Sequence, residues 1–77
     1  MVTKEELENV TGNTTLYMIK EFNADGTPVR WRVNGKVKTW KRDITRIRVP
    51  VKHGLYDYGY VDENNMHIFT LKEEDAY

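Results

Sequence analysis

Apolar and polar residues alternate along most of the chain, which is the pattern of strands that bury one face. In the clearest case Ile47, Val49 and Val51 alternate with basic residues and with Pro50. Because Pro50 has no backbone donor, this strand is expected at a sheet edge or at a bulge. Together with five similar segments, the pattern predicts strands over residues 14–22, 28–33, 36–41, 46–52, 55–61 and 66–71.

The start of the chain predicts a short helix over residues 4–10. Thr3 and Glu6 have the spacing of a capping box, and Gly12 offers a stop. Farther on, the run 23–26 ends in a glycine and predicts a bulged hairpin turn. Pro28 then fits the first position of the following strand.

The dipeptide Asn34-Gly35 predicts a tight type I′ hairpin between the second and third strands. With a two-residue loop, Trp40 lies on the same face as Trp31. With a three-residue loop, Val37 and Thr39 take that place, since a shift of one residue moves a whole strand to the other face. The pattern therefore leaves Trp40 undecided between core and surface.

Six short strands and one small helix predict a mainly β fold in a single domain over residues 1–77. A small antiparallel barrel or curled sheet, SH3-like or OB-like, is the expected architecture, because closure hides strand edges. Asp43 is expected to cap one turn at residues 44–46. The polar tail 72–77 is expected to fray, and so small a core makes oligomerisation an expectation.

Charge is strongly segregated although the net charge is zero. Residues 28–53 carry nine of the twelve Lys and Arg residues and one acid, Asp43, giving a net charge of +8. Both ends of the chain are acidic. Such blocks indicate either a surface that binds polyanions or basic strands that pair with acidic ones across the sheet. A third alternative, which the sequence leaves open, is that the acidic ends fold over the basic strands.

Few catalytic groups are present. The chain has no serine, cysteine or glutamine, which excludes Ser-His and Cys-His nucleophiles. His53 and His67 are the only histidines, and no spacing resembles a metal-ligand motif. We therefore expect no enzyme, no cofactor and no metal. The absence of an apolar run of about 18 residues and of a signal peptide predicts a cytoplasmic protein without a membrane span.

The binding chemistry that remains combines basic and aromatic side chains. Basic side chains on neighbouring strands can contact phosphates, and a tryptophan or tyrosine can stack on a base. The candidate residues are Arg30, Arg32, Lys38, Trp40, Lys41, Arg46, Arg48, Tyr56, Tyr58 and Tyr60. Tyr, Trp and Arg are also enriched where proteins bind each other, so the partner is either nucleic acid or another protein.

A resemblance covers about a third of the chain, within residues 33–60. Its landmarks are the segments 34–42, 48–55 and 58–60, which contain Asn34-Gly35, Pro50 and Tyr60. In these segments the chain resembles small uncharacterised proteins encoded by bacteriophages and mobile elements. The resemblance implies an accessory protein of a bacterial host cell that binds a host protein and modulates or inhibits it. No activity or site residue comes with it.

Overall fold

The computed structural model describes residues 1–41 and 45–77. Within them lie one helix, α1, six antiparallel strands in one sheet, and two short 3-10 helices. The mainly β fold with a short N-terminal helix is confirmed, and the sheet is open, being neither closed nor strongly curled. In chain order the elements are α1 (Lys4–Glu8), β1 (Thr15–Phe22), β2 (Pro28–Val33), β3 (Lys38–Lys41), β4 (Thr45–His53), β5 (Asp57–Asp62), a 3-10 helix (Met66–Ile68), β6 (Phe69–Thr70) and a second 3-10 helix (Glu73–Asp75).

Strand β4 is the centre of the sheet, so the expectation of an edge strand or bulge at Pro50 is wrong. β5 pairs with one edge of β4, while β3 and then β2 share the other edge. The carbonyl of Pro50 accepts a hydrogen bond from the amide of Asn34 at 2.8 Å. The N–H and C=O of one strand residue point to the same side of the strand. The backbone donor that Pro50 lacks would therefore point to the gap between the residues of β4 that pair with β3 and those that pair with β2. The proline therefore costs the sheet no ladder bond.

The predicted hairpin at Asn34-Gly35 is also wrong, because β2 pairs with β4 and not with β3. Val33 lies opposite Val51, and both side chains are buried in the core. That apolar match outweighs the local turn preference. After Val33 the chain leaves β4 at Gly35, which has φ +149°. A Cβ at this position would lie 2.9 Å from Cγ of Pro50, so only glycine fits without a shift of its neighbour.

The core lies on the inner face of the sheet, where α1 covers it. Ile47, Val49 and Val51 of β4 form its central row, as the alternation predicts. Leu7 of α1 is fully buried against them, which is worth about 1.5–3 kcal/mol for a side chain of this kind. The complete set of buried apolar residues in the cluster is Val2, Leu7, Leu16, Val33, Ile47, Val49, Val51, Val61 and Phe69.

Helix α1 begins with the predicted capping box. The Thr3 hydroxyl accepts from the Glu6 amide at 3.1 Å, and a Glu6 carboxylate oxygen accepts from the Thr3 amide at 2.9 Å. The helix ends at Glu8, two residues earlier than expected. Its single turn and a half is held by the burial of Leu7, since so short a helix is unstable by itself.

The β1–β2 hairpin has the predicted turn, in which Gly26 takes φ +87° and its amide bonds to the carbonyl of Asn23. The register shifts between Tyr17 and Phe22, and Lys20 has φ +61° within that irregular stretch. A bulge of this kind bends a strand. Here it turns the second half of β1 towards the end of the chain.

The end of the chain differs from expectation in two places. Residues 66–68 form a 3-10 helix and only Phe69–Thr70 form a strand, which leaves His67 exposed. The tail does not fray as expected: Ala76 is fully buried, and its carbonyl accepts from the amide of Lys20 at 2.8 Å. The bulge in β1 supplies this donor, because Lys20 departs from the ladder.

The side chain of Glu63 forms a hydrogen bond with the edge of β4 just beyond the end of β5. Its carboxylate accepts from the Ile47 amide at 2.8 Å, which satisfies a donor that β5 no longer reaches. This hydrogen bond is the main reason why the pKa of Glu63 lies below its ordinary value, and burial opposes the shift. The turn predicted at Asp43 and residues 44–46 lies outside the described residues, apart from the start of β4.

Candidate functional site

The face of the sheet opposite the core collects basic and aromatic side chains. Directly opposed residues lie on the same face of a sheet, and the pairs Arg32–Lys52, Lys38–Arg48, Trp40–Arg46 and Lys52–Tyr58 are all opposed across β4. We call this the outer face and define it by its basic and aromatic residues. They are Arg30, Arg32, Lys38, Trp40, Arg46, Arg48, Lys52, Tyr58 and Tyr60.

Basic side chains lie over the aromatic rings of the outer face. The guanidinium carbon of Arg48 is 4.9 Å from the ring centroid of Tyr60 and 5.8 Å from that of Trp40. The ammonium of Lys52 is 5.4 Å from the ring centroid of Tyr58. Such contacts are worth about 0.5–1 kcal/mol each at exposed sites. They hold cation and ring side by side, the arrangement that phosphate contact and base stacking require together.

The pairing of basic with acidic strands, one interpretation of the charge blocks, is found on one edge of β4, where Arg48 lies opposite Asp62 of β5. On the other edge like charges stand directly opposite each other. Arg32 lies opposite Lys52, and Lys38 lies opposite Arg48. Directly opposed like charges destabilise a sheet. In the described part of the chain, no carboxylate forms an ion pair with any of the six cations of the face. A bound anion would relieve this repulsion.

The acidic residues are engaged elsewhere. Asp62 lies opposite Arg48 in the β4–β5 ladder, but its carboxylate accepts from the amide of Asn64 at 2.9 Å. The acidic tail packs on β1, where the Tyr77 ring lies 5.8 Å from the Phe22 ring. The alternative in which the acidic ends cover the basic strands is not observed, since Arg30, Arg32, Lys38, Arg46 and Arg48 are all exposed.

We expect the protein to become more stable as salt is added. Each like-charge pair costs about 0.2–1 kcal/mol, and about 1 kcal/mol moves the melting temperature of a domain this size by about 4–8 °C. Sodium chloride screens the repulsion, so the melting temperature should rise by several degrees between about 0.05 M and about 0.5 M. Thermal unfolding followed by circular dichroism measures this.

The matched variant is Arg32→Gln, which removes the Arg32–Lys52 repulsion. It should melt higher than the wild type at low salt and gain less from added salt. A melting temperature that falls with salt in the wild type would mean that attractive pairs dominate the electrostatics of the fold.

A groove of about 480 Å³ opens at one end of the outer face, where β2 runs past the end of β4. Nδ1 of His53 lies 2.8 Å from the carbonyl oxygen of Arg30. The His53 side chain thus bonds to the backbone of β2 where the backbone pairing of β2 with β4 has ended. The same ring lies 5.2 Å from the ring of Trp31. Three cations and several polar groups line the groove: Arg30, Arg32, Lys52, His53, Thr15 and Asn23.

Eight of the ten candidate residues predicted from the sequence belong to the outer face. Tyr56 does not, because it lies in the turn after β4 and is 87% exposed. The side chain of Lys41 is outside the described part of the chain. Trp40 is on the surface, 47% exposed, which settles the question that the hairpin left open. The side chains of β3 nevertheless face the way that the three-residue loop predicts. Thr39, and not Trp40, lies on the inner face, since it is opposite Ile47 of the inner row.

Two residues of the site were missed by the sequence analysis. Lys52 continues the period of two that Arg46 and Arg48 begin, so the alternation itself could have identified it. His53 could not be found in this way, because its place depends on β2 passing the end of β4. Its contact with Arg30 joins residues that are 23 positions apart.

No group of three or more His, Asp or Glu side chains that could hold a metal ion is found among residues 1–41 and 45–77. In the same residues, no helix is long and apolar enough to cross a membrane. No protein-family model, curated protein or solved structure matches the chain. The outer face and its groove are therefore interpreted from their own geometry.

Proposed function

We propose that the protein binds single-stranded nucleic acid on the outer face of its sheet. The observation that carries the proposal is the juxtaposition of six cations and three exposed aromatic rings on one face, with like charges opposed and no ion pair to a carboxylate in the described chain. Trp40, Tyr58 and Tyr60 are 47%, 64% and 55% exposed, so a base can reach each ring.

The phosphate backbone would follow β4. From Arg46 to Lys52 the strand covers about 20 Å, at about 3.3 Å per residue. Rings flank this line on both sides, with Trp40 on β3 and the two tyrosines on β5. The length suits a site of about four nucleotides, the lower end of the range for small β domains.

Unpaired bases suit this face better than a duplex. Stacking on an exposed ring requires a base whose face is free, and every base offers such a face regardless of sequence. The four strands β1, β2, β4 and β5 together span about 14 Å, which is wider than the ~12 Å major groove that admits a helix or a two-stranded ribbon. Helix α1 lies on the opposite side of the sheet and cannot insert into a groove from this face.

A fluorescence titration tests the proposal. Adding single-stranded dT12 should quench the emission of the exposed Trp40, with a micromolar dissociation constant at low salt. If about five phosphates are neutralised, a plot of the logarithm of the affinity against the logarithm of the salt concentration should have a slope of about −3.5. A duplex of the same length should bind more weakly.

Trp40→Phe is the matched control, since it keeps a stacking ring and removes the reporter. Its affinity, followed by fluorescence anisotropy of labelled dT12, should stay within about threefold of the wild type, while the tryptophan quenching disappears. Absence of binding at low salt, or binding that does not change with salt, would contradict the proposal.

Binding of a host protein is the second candidate. Leu55 and Tyr56 in the turn after β4 are 74% and 87% exposed and lie outside the outer face, and nucleic acid binding does not explain them. Exposed aromatic residues beside arginines are typical anchors of protein interfaces. In the bacterial setting that the phage resemblance implies, Tyr56→Ala would then abolish capture of the partner, while binding to dT12 would remain unchanged.

A further inference from the structure

We infer that the groove beside His53 binds the terminal phosphate of a bound strand, that is, a phosphate monoester at one end of the nucleic acid. This inference rests on the proposed function and identifies where the strand ends and in what chemical form. The groove lies at the Lys52 end of β4, beyond the last pair of opposed strand residues, His53 and Asp57.

The charge of the groove suits a monoester better than an internal phosphodiester. A phosphodiester carries one negative charge, whereas a terminal phosphate carries about −1.5 to −2 at neutral pH and has three acceptor oxygens. Arg30, Arg32 and Lys52 bring three positive charges to one groove, and among residues 1–41 and 45–77 no acidic side chain lines it. Arginine also offers paired donors that match phosphate oxygens.

The surrounding turns give the groove the position of an end stop. One wall is β2, from which Arg30 and Arg32 extend, and the other is the turn that follows β4 at Gly54 and Leu55. Asn23, from the turn between β1 and β2, lines the far end. A strand that follows β4 across the outer face therefore meets these turns after Lys52, with the groove as the last place for a phosphate.

The ring of His53 is held in a fixed orientation at the groove by its contact with Arg30. Its Nδ1 faces a carbonyl oxygen, which only accepts, so Nδ1 carries a hydrogen in this contact. The second ring nitrogen, Nε2, can then act as acceptor for a singly protonated phosphate or, when protonated, as donor to a dianion.

Three tetranucleotides of thymidine test the inference: one with a 5′-phosphate, one with a 3′-phosphate and one with hydroxyls at both ends. One of the two phosphorylated strands should bind about tenfold more tightly than the hydroxyl-ended strand, and its salt dependence should be steeper by about one unit of slope. Competition against labelled dT12, measured by anisotropy, gives the three affinities.

Arg32→Gln and Lys38→Gln form a matched pair of variants. Each removes one positive charge and one like-charge pair, but only Arg32 lines the groove. Arg32→Gln should abolish the advantage of the phosphorylated strand. Lys38→Gln should weaken all three strands alike and preserve the ratio. Circular dichroism confirms that both variants fold.

Equal affinity for the three tetranucleotides in the wild type would overturn the inference and leave the proposed function intact. Failure of hydroxyl-ended dT12 to bind at low salt would instead overturn the proposed function. Thymidine monophosphate that binds as tightly as the phosphorylated tetranucleotide would also overturn the inference, because the groove would then accept a free nucleotide and no strand end.

Discussion

Replacing Arg32 and Arg48 together by glutamate is expected to lower the affinity for single-stranded DNA by about 100-fold or more at low salt, without unfolding the protein. The double variant removes two cations from the line of β4 and its neighbour, and adds two anions. Arg48 also lies over the rings of Tyr60 and Trp40, so a strand loses both its phosphate contact and the ordered stacking site. Anisotropy with labelled dT12 measures the loss.

Stability should respond in the opposite direction to binding. Glutamate at position 32 lies opposite Lys52, so a repulsive pair becomes an attractive one. At position 48 the gain opposite Lys38 is offset by the neighbouring Asp62 on β5. The melting temperature should therefore remain equal or rise. This combination separates a functional surface from a structural one.

The matched control reverses two cations outside the outer face, Lys36 in the loop after β2 and Lys72 after β6. It changes the net charge by the same amount. If binding depended only on the overall charge of the protein, both double variants would weaken it equally. A control that binds within about threefold of the wild type localises the effect to the face.

The second large effect is expected at the end of the chain. Ala76→Asp should lower the free energy of unfolding by about 3 kcal/mol or more, because Ala76 is fully buried and a carboxylate there would lose its hydration. The total free energy of unfolding of a domain of this size is about 3–5 kcal/mol. Most molecules of the variant should therefore be unfolded before heating, and the cooperative thermal transition should be lost. Thermal unfolding by circular dichroism measures the change.

Glu74→Ala is the control for that substitution. Glu74 lies in the 3-10 helix that directly precedes Ala76 and is exposed, so its removal should change the free energy of unfolding by less than about 0.5 kcal/mol. If Ala76→Asp melts like the wild type, the tail is not docked on β1 and the hydrogen bond from Lys20 contributes nothing to the fold.

The features that the sequence predicts are those that depend on neighbours along the chain. The alternation of Ile47, Val49 and Val51 with basic residues predicts both a buried row and a basic outer face, and β4 has both. The capping box at Thr3 and the turn at Gly26 are equally local. These predictions are confirmed because the decisive contacts lie within a few residues.

The features that the sequence does not predict depend on competition between distant partners. Asn34-Gly35 favours a hairpin, but β4 offers Val33 a buried apolar partner that β3 lacks. Pro50 indicates an edge only if a neighbouring strand needs a donor on the side that the Pro50 nitrogen faces. Burial of Ala76 and the contact of His53 with Arg30 likewise require knowledge of which segments meet. Local patterns do not contain that information.

The backbone pairing between β2 and β4 is short, although both strands contribute to one hydrophobic core. β1 with β2, and β4 with β5, are hairpins of neighbouring segments. Between the two hairpins, the paired strand residues among those described are Arg32–Lys52 and Val33–Val51, and the Asn34 amide and the His53 ring add one hydrogen bond each. Local pairings form quickly, and the joining of distant segments is the slow step. We therefore expect the docking of the two hairpins to be the slow step of folding. Transient opening of the native state should separate them along the same line, and a nucleic acid strand lying across it would act as a clamp.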